Sequence, residues 1–400
     1  MRKRAPRWFV VLLSCLFSMF TAWPQAAGKA SPSAAKSSTK KTASASKKTT
    51  PQAKISARRT IAKAASKKNV RSRYSPWSEP TFADSTIGDD LSGEDLAVRE
   101  AAVRALGPYN GSVVVVDPQT GRILSMVNQK LALSSGFQPC STVKLPVALA
   151  GLSEHLIARD TPVRIEGTVR MTLTEALARS NNAFFAILGN KLGFERFSYY
   201  ARLLGLGEKA GYEIEGEKSG YFPSEPPTNT SLGMMCSFGE GISLTPLELA
   251  AMLTAFSNGG TLYYLQYPRS LQDVRNFVPR VKRHLSIEPW LEDLRSGMQA
   301  AVEYGTARRA QYAPEEAVFG KTGTCTERRT HLGWFGSFNM GGRNQLVVVV
   351  LLTGGAGVSG PTAAEIAGNF YKNIAQSSFF ARRGGSVAGP LLSLEPCCLR

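Results

Sequence analysis

The first 78 residues contain no aspartate or glutamate, and Glu79 is the first acidic residue of the chain. Residues 1–28 carry four basic residues and residues 29–73 carry fourteen more, which together equal the formal net charge of +18. The remainder, with 30 basic and 30 acidic residues, is neutral. Because a nucleic-acid-binding domain carries its basic patch on the fold itself, we expect no nucleic-acid partner.

Histidine is also scarce. The three histidines, His155, His284 and His331, match no metal-ligand spacing. We therefore expect no metal site. The sequence shows no internal repeat.

The N-terminus lacks an apolar run of the roughly 20 residues that a membrane-spanning helix prefers. Four basic residues precede Trp8–Trp23, which is sixteen uncharged residues long, and snorkelling flanks would let such a run span. Residues 1–28 are therefore interpreted as a cleaved signal peptide or a retained anchor. The missing A-x-A cleavage site favours the anchor. Apolar residues continue past Cys15, which argues against lipidation there.

Residues 29–75 are a low-complexity mixture of Ser, Ala, Thr and Lys with almost no large apolar side chain. Such a segment buries too little surface to offset its ordering entropy, so we predict a disordered basic linker. Its charge suggests that residues 29–73 contact an anionic envelope polymer or a membrane face. A solvated spacer is an equally good interpretation.

From residue 76 to about residue 385 the composition is typical of a globular domain, and residues 386–400 form a C-terminal tail. Apolar spacing predicts a helix over Leu96–Leu106. Two β-rich runs flank the turn residues 117–121 and predict a hairpin. The middle of the domain, residues 142–258, has a mostly helical pattern. Further strands are predicted at 318–324, 334–339 and 345–352, and a closing helix at 362–375. We therefore predict an α+β fold, with one antiparallel sheet that pairs N- and C-terminal strands and carries helices on both faces.

A serine and a lysine three residues apart, Ser141 and Lys144, form the first candidate motif. The spacing alone means little, since the linker contains it four times. Here an apolar helix follows, so a serine on its first turn should point into a site with the helix dipole behind it. Lys144, one turn on, should reach that hydroxyl, and burial would lower its pKa towards neutrality. A helix cap beside a surface lysine is the alternative.

Two further motifs follow in order. Ser180-Asn181-Asn182 lies between two helical segments, where the common meaning is a polar turn. Its functional interpretation is that Ser180 relays a proton and Asn182 holds a substrate amide. Lys321-Thr322-Gly323-Thr324 lies on a predicted strand. There the lysine and the hydroxyls of Thr322 and Thr324 suit a carboxylate, and Gly323 lets a substrate approach the backbone.

Together these motifs resemble those of the penicillin-binding protein transpeptidase domain. The hairpin at 116–124, the segments 215–220 and 238–246, and Gly305-Thr306-Ala307 are also similar to that family. The resemblance covers about residues 98–376. It implies a serine D,D-transpeptidase in the cell envelope that acts on peptidoglycan stem peptides and is acylated by β-lactam antibiotics, with no metal or organic cofactor.

The resemblance also implies a role for each residue. Ser141 is the nucleophile and Lys144 its general base, while Ser180 and Asn182 shuttle protons and position the peptide. Lys321, Thr322 and Thr324 hold the substrate carboxylate. The oxyanion lies between the backbone N–H groups of Ser141 and Thr324.

Two other functions stay open at this point. A serine β-lactamase shares the motifs but adds a deacylating water. The Glu-x-x-Leu-Asn loop of class A enzymes is not found after Ser180, and class D enzymes should differ at Asn182. A penicillin sensor or envelope scaffold that acylates without turnover is the third alternative.

The cysteines add one expectation to the resemblance. Cys140 precedes the candidate nucleophile and Cys325 follows Thr324. Class A carbapenem-hydrolysing β-lactamases look similar here and place a disulfide at matching positions, so the resemblance pairs Cys140 with Cys325. Two free thiols are the alternative. Cys236 is a lesser candidate partner, and Cys397 and Cys398 are expected to pair with neither.

Overall fold

The computed structural model describes residues 77–313, 315–341, 345–377 and 379–380. The predicted anchor or signal peptide, the basic linker and the C-terminal tail, with Cys397 and Cys398, lie outside the described residues. Within the described residues, no helix has both the length and the apolar character needed to cross a membrane.

Five antiparallel strands form the main sheet: β1 (Gly111–Asp117), β2 (Arg122–Val127), β7 (Val318–Glu327), β8 (Thr330–Asn339) and β9 (Val347–Gly354). Their order across the sheet is β2-β1-β9-β8-β7. Strand β1 pairs with β9, so that Gly111 faces Leu352 and Val116 faces Val347. The predicted pairing of N- and C-terminal strands is therefore confirmed.

Two small hairpins lie outside this sheet. Strands β3 (Val163–Glu166) and β4 (Val169–Met171) form one, and strands β5 (Thr261–Tyr264) and β6 (Arg280–His284) form the other. The first hairpin interrupts the region that was predicted to be mostly helical. Alternate side chains of β3 are exposed, so it lacks the continuous apolar face of a core strand.

Ten α-helices connect and cover the strands in the described residues. They are α1 (Leu96–Leu106), α2 (Gln129–Ala132), α3 (Lys144–Ser153), α4 (Leu173–Ala178), α5 (Asn182–Leu203), α6 (Leu232–Phe238), α7 (Pro246–Asn258), α8 (Leu271–Arg275), α9 (Glu288–Glu303) and α10 (Gly360–Ala375). Two 3₁₀ turns occupy Cys140–Val143 and Arg308–Ala310. The predicted helix over Leu96–Leu106 is observed with the same bounds.

Both faces of the sheet are buried, as a strand of unbroken valines requires. In β1, Val113 and Val115 belong to the apolar cluster that contains residues of α1 and α10. Val114 and Val116 belong to the cluster that contains residues of α3 and α7. Because neighbouring side chains of a strand point to opposite faces, the all-valine run places helices on both sides, as predicted.

Strand β7 ends the sheet and positions the candidate site. One side of β7 pairs with β8 over ten successive residues, from Val318 opposite Asn339 to Glu327 opposite Thr330. Its other edge has no strand partner among the described residues. An unpaired strand edge presents backbone donors and acceptors to a ligand.

Candidate active site

The structure brings the three sequence motifs together. The 3₁₀ turn at Cys140–Val143 contributes Ser141, the loop between α4 and α5 contributes Ser180, and β7 contributes Lys321. Ser180 and Lys321 are 141 residues apart and Lys144 is 36 residues before Ser180, yet the Ser180 hydroxyl lies within hydrogen-bond distance of both amines. Ser180 and Lys321 lie on the predicted kinds of element, whereas Ser141 does not.

Ser141 lies one turn earlier than predicted. The sequence placed it on the first α-helical turn, whereas the structure has it in a 3₁₀ turn that leads directly into α3. Cys140, immediately before it, has a left-handed backbone with φ 51°, which redirects the chain into the turn. The tighter winding still puts Lys144, three residues on, 2.7 Å from the Ser141 hydroxyl.

Lys144 is fully buried and has three short polar contacts. Its Nζ lies 2.7 Å from Ser141 Oγ, 2.7 Å from Asn182 Oδ1 and 2.8 Å from the Ser237 carbonyl oxygen. The last two atoms are acceptors only, so they take two N–H groups of the amine. In the neutral amine the remaining lone pair then points at Ser141, which is the geometry of a base beside its nucleophile.

Burial makes that neutral form accessible. Desolvation, with a smaller contribution from the nearby positive charge of Lys321, lowers the pKa of Lys144 to about 6. The rings of Phe185 and Phe238 lie 5.8 Å from its Nζ and form apolar walls. At neutral pH most Lys144 amines are therefore unprotonated.

Ser180 connects the two buried lysines. Lys321 Nζ donates to Ser180 Oγ at 2.8 Å, and Lys144 Nζ lies 3.5 Å from the same oxygen. Ser180 has a left-handed backbone with φ 55° in the loop between α4 and α5. Burial lowers the pKa of Lys321 to about 7. The hydroxyl therefore bridges two amines that titrate near neutrality, which suits a proton relay.

Gly323 lies where the protein's own packing is tight. A Cβ at this position would lie 3.0 Å from the Pro139 carbonyl oxygen, 3.1 Å from the Trp334 Cβ and 3.3 Å from the Cys140 Cβ. The sequence attributed the glycine to substrate approach, and that role stays a prediction. The structure adds that the missing side chain lets the turn that carries the nucleophile lie close against β7.

The two threonines of the strand motif make different contacts. The Thr322 and Thr306 hydroxyls hydrogen-bond to each other at 2.6 Å. The Thr324 hydroxyl is on an exposed residue and accepts from the Gly360 N–H, the first residue of α10, at 2.8 Å. Accepting that bond leaves the Thr324 hydrogen available to a carboxylate.

Thr306 is a site residue that sequence reasoning missed. It was noted only within the segment Gly305–Ala307, and no role was given to it. Its backbone N–H donates to the Ala178 carbonyl at 3.0 Å, which ties it to the end of α4. The sequence feature that could have indicated a role is the Gly305-Thr306-Ala307 segment ahead of the strand motif. The contact between Thr306 and Thr322, however, depends on the tertiary fold.

Cys140 and Cys325, which the resemblance pairs, form a disulfide with Cα atoms 5.6 Å apart. The bond joins the turn that carries Ser141 to the strand that carries Lys321. Cys236 is free and buried beside Ser237, and burial raises the pKa of its thiol.

A second set of contacts holds the approach to the nucleophile, and the sequence did not predict it. The Trp334 Nε1–H donates to the Gln138 carbonyl at 3.0 Å, and the Gln138 amide donates to the Phe238 carbonyl at 3.0 Å. The segment before Ser141 is thus fixed to both the sheet and α6. Such support keeps a nucleophile in one geometry.

The family model of the penicillin binding protein transpeptidase domain matches residues 111–375. Stage V sporulation protein D of Bacillus subtilis is 28% identical in an alignment of 311 residues, which covers 67% of this chain and 48% of that protein. Penicillin-binding protein PbpB of Mycobacterium tuberculosis is 27% identical in an alignment of 188 residues, which covers 38% of this chain and 28% of that protein. The chain thus spans about half or less of the length of these relatives.

A crystal structure of PBP2 from Pseudomonas aeruginosa has a similar fold. Its TM-score with this chain is 0.59 at 23% sequence identity, and the match covers 71% of this chain and 74% of that one. At this identity the likeness concerns the fold alone. It agrees with the predicted sheet and helix arrangement.

Proposed function

Because the chain belongs to the penicillin-binding protein transpeptidase domain family, we propose that it is a serine D,D-transpeptidase acting on peptidoglycan stem peptides. One observation carries the proposal: the buried Lys144 amine lies 2.7 Å from the Ser141 hydroxyl while two carbonyl-type oxygens occupy its N–H groups. Ser141 thus has a base of suitable pKa within hydrogen-bond reach.

In the first half-reaction, Ser141 Oγ attacks the carbonyl carbon between the two terminal D-alanines, and Lys144 accepts the hydroxyl proton. The backbone N–H groups of Ser141 and Thr324 stabilise the oxyanion. When the C–N bond breaks, the proton on Lys144 passes through Ser180 to the departing amine. D-alanine leaves, and the peptide remains as an ester on Ser141.

In the second half-reaction, the amine of a neighbouring strand attacks that ester and its proton returns to Lys144. The ester C–O bond breaks and Ser141 recovers its proton. Lys321, Thr322 and Thr324 hold the carboxylate of the donor peptide, and Asn182 holds a peptide amide while it orients Lys144. β-Lactams enter the same path as acylating mimics of the donor.

One feature of the site favours a long-lived acyl-enzyme over a β-lactamase. In the described residues, the hydrogen-bond partners of Ser141, Lys144 and Ser180 include hydroxyl, amide and carbonyl groups but no carboxylate. A carboxylate that activates water is therefore missing from the immediate surroundings of the ester. Slow hydrolysis of the acyl-enzyme is the expected consequence.

The proposal extends to the location and partners of the chain. Export and anchoring through residues 1–28 would place the domain in the cell envelope, on the periplasmic side or the outer face of the inner membrane, where its substrate is found. Residues 29–73 would then contact anionic envelope polymers. These N-terminal roles rest on composition alone.

The test is to incubate the full-length protein with a fluorescent penicillin, locate the adduct by peptide mass spectrometry and follow its release over hours. We expect a stable adduct on Ser141 that Ser141→Ala abolishes and that Ser153→Ala, a substitution at the far end of α3, leaves intact. Release within seconds would identify a β-lactamase. An adduct without D-alanine release from a D-Ala-D-Ala peptide would identify a sensor.

A further inference from the structure

A cavity of about 800 Å³ lies at one end of the main sheet, apart from the proposed catalytic groups. Three segments form its walls: the N-terminal arm (defined here as residues 77–95), the stretch 128–137 that leads towards Ser141, and the turn between β7 and β8. Ser141, Lys144, Ser180 and Lys321 do not contribute to its described lining. Its volume falls within the range of about 300–1,000 Å³ typical of ligand sites.

The lining is polar and carries charges of both signs. Lys130 and Arg328 supply positive charge, and Glu79, Asp84 and Glu327 supply negative charge; one oxygen of Glu327 accepts the Gln138 N–H. Among the described residues, Lys130, Arg328 and Glu79 form no ion pair, and the Asp84 carboxylate is bonded only to Thr86 through one oxygen. Exposed charges that leave one another unpaired around a shared cavity are available to a ligand.

The β7–β8 turn places Arg328 at this cavity in an unfavourable backbone conformation. Arg328 and Arg329 have φ values of 45° and 62°, in a two-residue hairpin turn that favours Asn and Gly. Ser78 of the N-terminal arm holds the turn: its N–H donates to the Arg329 carbonyl at 3.0 Å and its hydroxyl donates to the Arg328 carbonyl at 3.1 Å. The turn thus carries an arginine at a position where Asn or Gly would strain the backbone less.

The same walls connect to the nucleophile. The Gln138 N–H donates to Glu327 Oε2 at 3.0 Å, and the disulfide joins Cys140 to Cys325 two residues further along the segment. Phe137, which lines the cavity, is four residues before Ser141. A ligand in the cavity therefore contacts the segment that leads to the nucleophile.

We propose that this cavity is a second binding site, for a short peptide that carries both a carboxylate and an ammonium group. Arg328 and Lys130 bind the carboxylates and Glu79 with Asp84 binds the ammonium group, since unpaired charges of both signs fit a zwitterion better than an anion or a cation. Half-buried Phe137 and Leu131 contact its apolar parts. A peptidoglycan stem peptide has this chemistry, and naming it as the ligand rests on the proposed function.

The test measures binding of the tripeptide L-Ala-γ-D-Glu-L-Lys to the full-length protein by titration calorimetry. This probe has no net charge, so the basic N-terminal tail has little attraction for it, and it lacks D-Ala-D-Ala, so it cannot be an acyl donor. The double variant Arg328→Asn/Lys130→Gln removes both cations while Asn tolerates the left-handed turn. Lys191→Gln, an exposed lysine on α5, is the matched control.

We expect the double variant to lose at least about tenfold in affinity, because charge-assisted hydrogen bonds are lost. Lys191→Gln should bind like the wild type, and an acetylated, fully amidated tripeptide should not bind. Equal affinity of the double variant and the wild type, or no binding by the wild type up to about 10 mM peptide, would overturn the inference. Penicillin labelling of the same samples separates the two proposals: labelling without tripeptide binding refutes only the cavity, and binding without labelling refutes only the transpeptidase.

Discussion

The protonation of Lys144 should control how acylation depends on pH. Burial, then the charge of Lys321, lowers the pKa of Lys144 to about 6, and only the neutral amine accepts the Ser141 proton. At saturating penicillin, whose bound carboxylate keeps Lys321 protonated, the rate constant for acylation should therefore reach a plateau above pH 7. Below pH 6 it should fall by about tenfold for each pH unit.

Asn182→Asp moves this dependence in a direction that the structure fixes. It replaces the amide oxygen 2.7 Å from Lys144 Nζ by a carboxylate oxygen. An opposite charge at this distance favours the protonated amine and raises its pKa by about 1–3 units. The midpoint of the acidic limb should then move from pH 6 to between about 7 and 9, so that at least about half of Lys144 is protonated at pH 7 in the variant.

The assay is the first-order rate constant for acylation by a saturating fluorescent penicillin, measured between about pH 4.5 and 9.5 and normalised to each variant's own plateau. Normalisation separates the shift of the midpoint from any loss of peptide positioning by Asn182. The matched control is Asn181→Asp, which adds a carboxylate one residue away, where the side chain caps α5 and does not contact Lys144. A midpoint that stays near 6 in Asn182→Asp, or moves lower, would refute Lys144 as the titrating base.

Three further outcomes are expected. Lys144→Met should abolish acylation yet raise the free energy of unfolding at pH 7 by about 2 kcal/mol, measured by chemical denaturation. Keeping a lysine of ordinary pKa 10.5 unprotonated at pH 7 costs about 5 kcal/mol, and its three hydrogen bonds return about 1 kcal/mol each. Thr306→Val should slow acylation by about five- to tenfold through loss of the bond to Thr322, whereas Thr306→Ser should stay near wild type; equal rates for both would remove Thr306 from the site. Cys140→Ser should lower the melting temperature. The disulfide joins residues 185 apart, and closing a loop of this length stabilises the fold by up to about 5 kcal/mol in the chain-entropy picture. A wild-type melting curve that dithiothreitol leaves unchanged would contradict this.

The sheet was predictable because its signals are local. A run of four valines beside the turn residues 117–121 fixes the first hairpin, and the apolar run at 345–352 identifies a second strand, which the structure buries on both faces. The prediction of the β7–β8 hairpin was less complete. The first strand was predicted to end at residue 324 and the second to begin at residue 334, whereas the observed strands continue to Glu327 and begin at Thr330. The actual turn, Arg328-Arg329, contains neither Gly nor Asn, so its sequence lacks the usual turn chemistry.

The candidate site was predictable where chemistry follows sequence spacing. Ser141 and Lys144 are three residues apart, and any helical turn brings such residues onto one face. The Ser237 carbonyl and the Thr306 hydroxyl have no such local constraint. The first reaches its partner only after α6 has packed against α3 and the turn that carries Ser141, and the second only after α9 has packed against β7. Gly323 shows the same limit of prediction. Its close contact with the turn at Pro139 and Cys140 is a tertiary contact that the local sequence does not reveal.

The two buried lysines are best understood as a pair that an anionic substrate drives into opposite states. Lys321, with a pKa of about 7, is half protonated at neutral pH when the site is empty. A substrate carboxylate bound beside it would raise that pKa and complete its protonation. The added positive charge would in turn keep the pKa of Lys144 low, since Lys321 already contributes to that shift. Binding of the substrate would thus create the cation that holds it and preserve the neutral amine that activates Ser141.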